Sequence, residues 1–265
     1  MENGGETANK SMDPAMVEGM AQAVEGMSRL GKRILEENVA DEHAWFRNLL
    51  IGLINCALQD YRSVQIGCSK STYLAAWGTR NLLELKVTGA YVVASGSNAA
   101  DFKNDLLIDT KEFYEAVTKA TEATHEKIAS ALREMAEQSE GLHKEVMTAA
   151  AQSHTARRPK TEISDAEVET YRQLMAEYGI DKKTKPKRAS EIARLIKEAR
   201  DFDPMFKLCS KIMHRTALSI ASTIMPGSLD EAVPFLTSRA ASDFLSIYDV
   251  IERHVNQIGI RPSDG

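Results

Sequence analysis

The chain is short of the residues that stop helices and of those that build strands. Seven prolines and 15 glycines are spread over 265 residues, and aromatics make up only 6%. No stretch alternates apolar and polar residues at the period of two that a half-buried strand requires. No internal repeat is visible. Cysteine is scarce as well: Cys56, Cys68 and Cys209 have no metal-ligand spacing, and an odd, sparse count excludes a disulfide framework and suits a reducing compartment. No run approaches the roughly 18 apolar residues of a membrane-crossing helix. Residues 1–10 lack the apolar core of a secretory signal. A cytoplasmic protein with no membrane partner is expected. Excess positive charge is missing too, and the formal net charge of −5 argues against a surface generally coated by nucleic acid. The chain has no phosphate-binding glycine loop, no Gly-x-Ser-x-Gly and no His-Glu-x-x-His, so no cofactor is expected.

What is present favours helices. Hydrophobic residues are 43% and charged residues 27%, with Ala, Leu, Glu, Lys and Met prominent, which are good helix formers. The spacing predicts an all-α, antiparallel, up-and-down bundle of about seven to nine helices. Residues 1–12 read as disordered and 13–265 as a single helical domain. Asp13-Pro14 opens a first helix to about Glu37, with Met16, Met20, Val24, Met27, Leu30 and Ile34 as its apolar stripe. Asp41 caps a second helix over roughly 42–65, and Gly67 marks a break. A strongly apolar helix covers 71–95. One long charged helix, or a kinked pair, covers about 99–138. A short helix follows at 142–153, and a capping box at Ser164–Glu167 starts another that reaches Tyr178. Further helices are expected at 189–200 and at 204–224, the latter started by Asp203-Pro204. The last is capped near Ser228 and runs to about Ile258. The amphipathic helices 13–37 and 228–258 offer an apolar seam, which leaves room for a homodimer.

Arg80 and Glu84 carry the most information. They lie four apart, on one face of an otherwise apolar helix that also carries Leu74, Leu82, Leu83, Leu85, Val87, Tyr91 and Val92. A buried charge is costly unless it is paired, so either the fold or a ligand must meet them. Helix 204–224 has Ser210 and His214 four apart, with Ala217 and Ala221 continuing the line. If it packs on helix 71–95, His214 faces Glu84 and Arg80. A carboxylate beside an imidazole raises its pKa and orients it, as a general acid or base requires. Arg80, Glu84, His214 and Ser210 are therefore the catalytic candidates. The plainer alternative, an internal network that fixes helix register, is favoured.

Two other patterns bear on chemistry. Glu122-Ala-Thr-His125 and Glu140-Gly-Leu-His143 have the Glu-x-x-His spacing of carboxylate-bridged di-iron bundles, but they sit in the most polar part of the chain and Gly141 interrupts the second. They read as a solvated face, and no metal is expected. Two basic loops, near 155–161 and 181–188, place Arg157, Arg158, Lys182, Lys183, Lys187 and Arg188 where RNA phosphates could be met. No aromatic residue interleaves to stack a base, so solvated loops are the favoured reading.

Arg80-Asn-Leu-Leu-Glu84 followed by a long charged helix resembles the Arg-x-x-x-Glu helix of a bacterial family of all-helical proteins, a domain of unknown function with HEPN-like architecture. The segment Ala189–Arg200, then Phe206-Lys-Leu-Cys-Ser210-Lys-Ile-Met-His214, is similar to the same pattern, and the resemblance spans roughly 45–255. It implies kinship with HEPN relatives. Many of these are RNases that use an Arg followed four to six residues later by His. Others are non-catalytic partners in toxin–antitoxin or phage-defence systems. The chain departs from the RNase pattern: Lys207 stands upstream of His214, and Arg253 directly adjoins His254. The expectation is a non-catalytic protein that binds a protein or small-molecule partner, with a HEPN-like RNase or phosphate-ligand enzyme as the alternative.

Overall fold

A computed structural model describes residues 14–138, 140–156, 169–170, 173, 176, 185–214 and 229–263; side chains are described for these except 14–17, 114, 115, 117–119, 121, 122, 141–143, 153–156 and 230. Among the described residues the chain is helical and contains no strand. The helices are α1 (Pro14–Glu36), α2 (Ala44–Lys70), α3 (Thr72–Ala94), α4 (Gly96–Glu137), α5 (Gly141–Ala156), α6 (Ala189–Leu195), α7 (Ala199–Met213) and α8 (Val233–Gln257). Short 310 turns at Asp41–His43 and Asp230–Ala232 lead into α2 and α8. Residues 1–12, the capping box at 164–167 and the stretch 215–224 lie outside the described residues.

Within the single domain expected over 13–265, contacts group into two compact units, Met1–Ala99 with Arg188–Gly265, and Ala100–Lys187. In the first unit α3 is central and packs against α2, α6, α7 and α8. Chain directions follow from the contacts. Gly67 meets Ala75 and Gly78 meets Asp60, so α2 and α3 are antiparallel. Thr79 bonds the Leu236 carbonyl and Lys86 pairs with Asp243, so α8 runs parallel to α3. Arg80 lies against Phe206 while Lys86 reaches Glu198, so α7 runs against α3. Phe46, Leu50, Leu82, Leu83, Phe202, Leu236, Phe244, Ile247 and Ile251 form the sealed interior.

Several expected boundaries move for local reasons. Gly67 does not break α2, which runs on to Lys70. It is a point of close approach: a Cβ there would strike the backbone nitrogen of Ala75, and one on Gly78 would lie 2.6 Å from the Asp60 carbonyl. The turn between α2 and α3 is then Ser71 alone, extended, with its hydroxyl accepting from the Leu74 amide at 3.4 Å. Pro204 does not start its helix but lies inside α7, which begins at Ala199 after a left-handed Lys197 (φ 64°) ends α6. The long charged helix is one unbroken element of 42 residues. The seam offered by the first and last helices is used within the chain: Met27, Leu30 and Ile34 of α1 are buried, Gly26 packs on Tyr248, and Arg33 donates to Asn256 at 2.9 Å.

After α8 the chain turns back through Gly259 (φ 86°) and forms a strap. Ile260 is buried, Ser263 Oγ donates to the Val93 carbonyl at 2.8 Å, and the Gly96 amide donates to the Ser263 carbonyl at 2.7 Å. The strap thus ties down the corner where α3 gives way to α4.

In the second unit, Asp105, Ile108, Ala129, Ala136 and Ala151 are the buried residues among those described. The Lys187 amide donates to Asp105 at 3.1 Å and its ammonium pairs with Asp101 at 3.0 Å.

Candidate functional site

α3 is apolar over most of its circumference, so its few polar side chains must leave through the seams between helices. Arg80 does so toward α7. Its Nε donates to Glu84 at 3.1 Å, one turn along, and its guanidinium lies over the Phe206 ring, 4.3 Å from the centroid. Phe206 in turn stacks on Phe202. The pair is half-buried rather than sealed: Arg80 is 22% exposed and Glu84 35%. Its terminal nitrogens donate to none of the described residues.

The expected third partner is elsewhere. His214 is the residue that ends α7, exposed and extended, with its amide on the Ser210 carbonyl at 3.0 Å. Neither Arg80 nor Glu84 bonds to it. The helix expected to run to 224 ends at Met213, so the face that was to bring His214 across stops short. Ser210 is half-buried in the last turn.

One residue beyond Leu85, α3 sends out a second cation, which sequence reasoning missed. Lys86 is 18% exposed and pairs with Glu198 at 3.0 Å and Asp201 at 3.3 Å, both beside or on α7, and lies 3.9 Å from Asp243 on α8. Arg239, one turn before Asp243, donates through Nε to Asp243 at 2.8 Å and forks its two terminal nitrogens onto Asp201, one at 2.6 Å. Two cations and three carboxylates therefore cross-brace three helices. Asp243 is the sealed member at 1% exposure, and its Oδ1 accepts no hydrogen bond from the described residues. Burial pushes its carboxyl above the usual range against the pull of Arg239. Asp201, nearly half exposed, is held below that range by its hydrogen bonds from Arg239. At Asp243 burial outweighs the pull of Arg239, whereas at the more exposed Asp201 the Arg239 hydrogen bonds outweigh burial. The signal was available, because Arg239 and Asp243 repeat the Arg-x-x-x-Asp/Glu spacing of Arg80 and Glu84 in another apolar helix.

Asp60 was also missed. It is buried on α2, accepts from Asn81 Nδ2 at 3.0 Å, and has its carboxyl raised by burial, with Glu84 adding to the shift. Cys209 lies under both clusters, its thiol pushed up by burial to about 12.

Of the basic-loop residues, Arg157, Arg158, Lys182 and Lys183 lie outside the described residues. Lys187 is committed to Asp101, and Arg188 starts α6, its amide donating to Glu191 at 2.9 Å. The side chains of Glu122 and His143 are outside the described set, and no group of three or more metal-capable side chains occurs among the described residues. No described helix is long and apolar enough to cross a membrane. Comparison with known proteins finds no matching family model, no similar curated protein and no matching solved structure.

Proposed function

We propose that the protein is a non-catalytic binding or interaction protein, with its charged clusters holding helices in register and its function carried by an exposed helix face. The observation that carries this reading is on α4. Leu106, Phe113, Ile128 and Met135 are 57%, 62%, 39% and 47% exposed. At about 100° per residue these four fall within roughly 60° of one another around the helix. Large apolar side chains aligned along one stripe of a charged helix are the kind of surface that a partner covers. The cluster of Lys86 and Arg239 supports the same reading, since each cation is engaged by carboxylates of its own chain.

The test places a photo-crosslinking side chain at Phe113 and, as a control, at the exposed Glu126, which lies about 140° away around the same helix. A discrete adduct at 113, absent at 126 and lost in Leu106→Ser/Met135→Ser, is the expected result. Site-dependent turnover of a substrate, with no adduct at 113, would overturn the proposal.

One observation favours a second reading, a HEPN-like RNase or phosphate-ligand enzyme. With Nε on Glu84 and one face on Phe206, Arg80 keeps its end-on pair of N–H groups for a phosphate or carboxylate. RNA cleavage that Arg80→Ala abolishes and Arg80→Lys weakens would establish it. Intact RNA with all three proteins would remove it.

A further inference from the structure

We propose that the exposed stripe of α4 is a self-association surface, covered by α4 of a second copy of the chain packed antiparallel across a two-fold axis. This rests on the binding reading above and names the partner of that face. Positions 106, 110, 113, 117, 120, 124, 128, 131 and 135 advance by steps of three or four and fall within roughly 80° of one another around the helix. None of the nine residues is charged, in a helix otherwise rich in Asp, Glu and Lys. Such steps, sustained along one stripe, are the pattern of a helix–helix seam. The packing of the chain itself uses another face. Asp105, Ile108, Ala129 and Ala136, the buried residues described in the part of α4 that belongs to the second unit, all lie more than about 90° from the centre of the stripe.

A second copy fits because the stripe is its own mirror image along the helix. Leu106 and Met135, Phe113 and Ile128, and Thr110 and Ala131 are each equidistant from one point, midway between residues 120 and 121. A two-fold axis through that point lays Leu106 against Met135 of the second copy and Phe113 against Ile128. Each contact then occurs twice, as an isologous interface requires. Large side chains meet large ones, and the exposed Ala120 sits at the axis, where a small residue lets two helices approach. Neither a parallel pair nor an unrelated partner would call for such symmetry within one helix. Along each edge Asp109 of one copy comes near Glu134 of the other, with Lys127 roughly 8–10 Å closer to the axis. All three are exposed, so water and salt screen them and the apolar pairs carry the contact. The seam from 106 to 135 is a strip about 44 Å long and about 10 Å wide, roughly 450 Å² on each copy. A standard interface covers about 800 Å² per partner and weak ones less than about 600 Å², so the pair is expected to exchange with the single chain.

The test is sedimentation velocity of the full chain over a range of concentrations. The wild type is expected to pass from its chain mass of 29.3 kDa to twice that mass as concentration rises. Phe113→Lys and Ile128→Glu each set a charge against an apolar side chain, and each is expected to stay at chain mass where the wild type is paired. Their circular dichroism should match the wild type, because both positions are exposed. Mixed in equal amounts, the two variants are expected to recover twice the chain mass, since the antiparallel register sets the new lysine of one against the new glutamate of the other. A wild type that stays at chain mass, variants that pair as it does, or a mixture that fails to recover each defeats the proposal. Chain mass throughout, with the Phe113 adduct formed to a different molecule, defeats the second copy and leaves the binding reading standing. Chain mass with no adduct defeats both.

Discussion

Asp243 and Arg80 are each half of an Arg–carboxylate pair four residues apart, yet they differ in what they would lose. Asp243 is sealed, so Arg239→Ala takes away its hydrogen-bonded partner and leaves only the Lys86 ammonium at 3.9 Å; the expected loss is about 3–5 kcal/mol in urea unfolding. Arg80→Ala removes a half-exposed pair and a cation–π contact, and should cost no more than about 1.5 kcal/mol by the same measurement. Equal losses would mean that the two clusters are not distinguished by burial. The pH dependence separates the two carboxylates that share Arg239. The Asp201 carboxyl is lowered from 3.8, so it contributes stability that is present above that value and is lost below it, as pH falls toward and through the lowered folded pKa. Asp243 is raised and has the opposite sign. Asp201→Asn is therefore expected to lower stability near neutrality and to flatten the loss on the acid side, as read by unfolding midpoints across the acid limb.

At the scale of the element, two glycines and a third on one helix pair make opposite predictions. Gly67→Ala and Gly78→Ala drive a methyl into backbone, which can yield only by separating α2 from α3; each should cost about 3 kcal/mol or prevent folding. Gly52→Ala on the exposed face of α2 meets nothing within 4 Å and should gain about 0.5–1 kcal/mol. Calorimetric midpoints of the three variants check the set. The same glycines show what was legible in the sequence. Helix existence was readable from the 3.6-residue period, and α1, α3, α4 and α8 fall close to where the pattern places them. Gly67 was misread because a glycine that permits contact and one that ends a helix look alike until the partner helix is known. Pro204 was misread because the turn at Lys197 carries no glycine to announce it. The Arg80–Glu84 and Arg239–Asp243 pairs are each readable because both residues are on one helix; the links from Arg239 and Asp243 to Asp201 and Lys86 are not, because they join three helices.

For the molecule as a whole, apolar burial is uneven. The first unit holds the sealed aromatic and aliphatic interior, whereas the described part of the second buries one large aliphatic side chain, Ile108. Both tryptophans, Trp45 and Trp77, belong to the first unit. Urea is therefore expected to lower the helical signal in circular dichroism before tryptophan fluorescence changes, and coincident curves would show one cooperative structure instead. Cys209 adds a chemical clock. Its thiol is buried and held protonated up to about 12, while Cys56 is exposed. An alkylating reagent should mark Cys56 at once and reach Cys209 only when α7 lifts away from α3 and α8. The lag between those labels, timed by mass spectrometry, reads how often the native state opens.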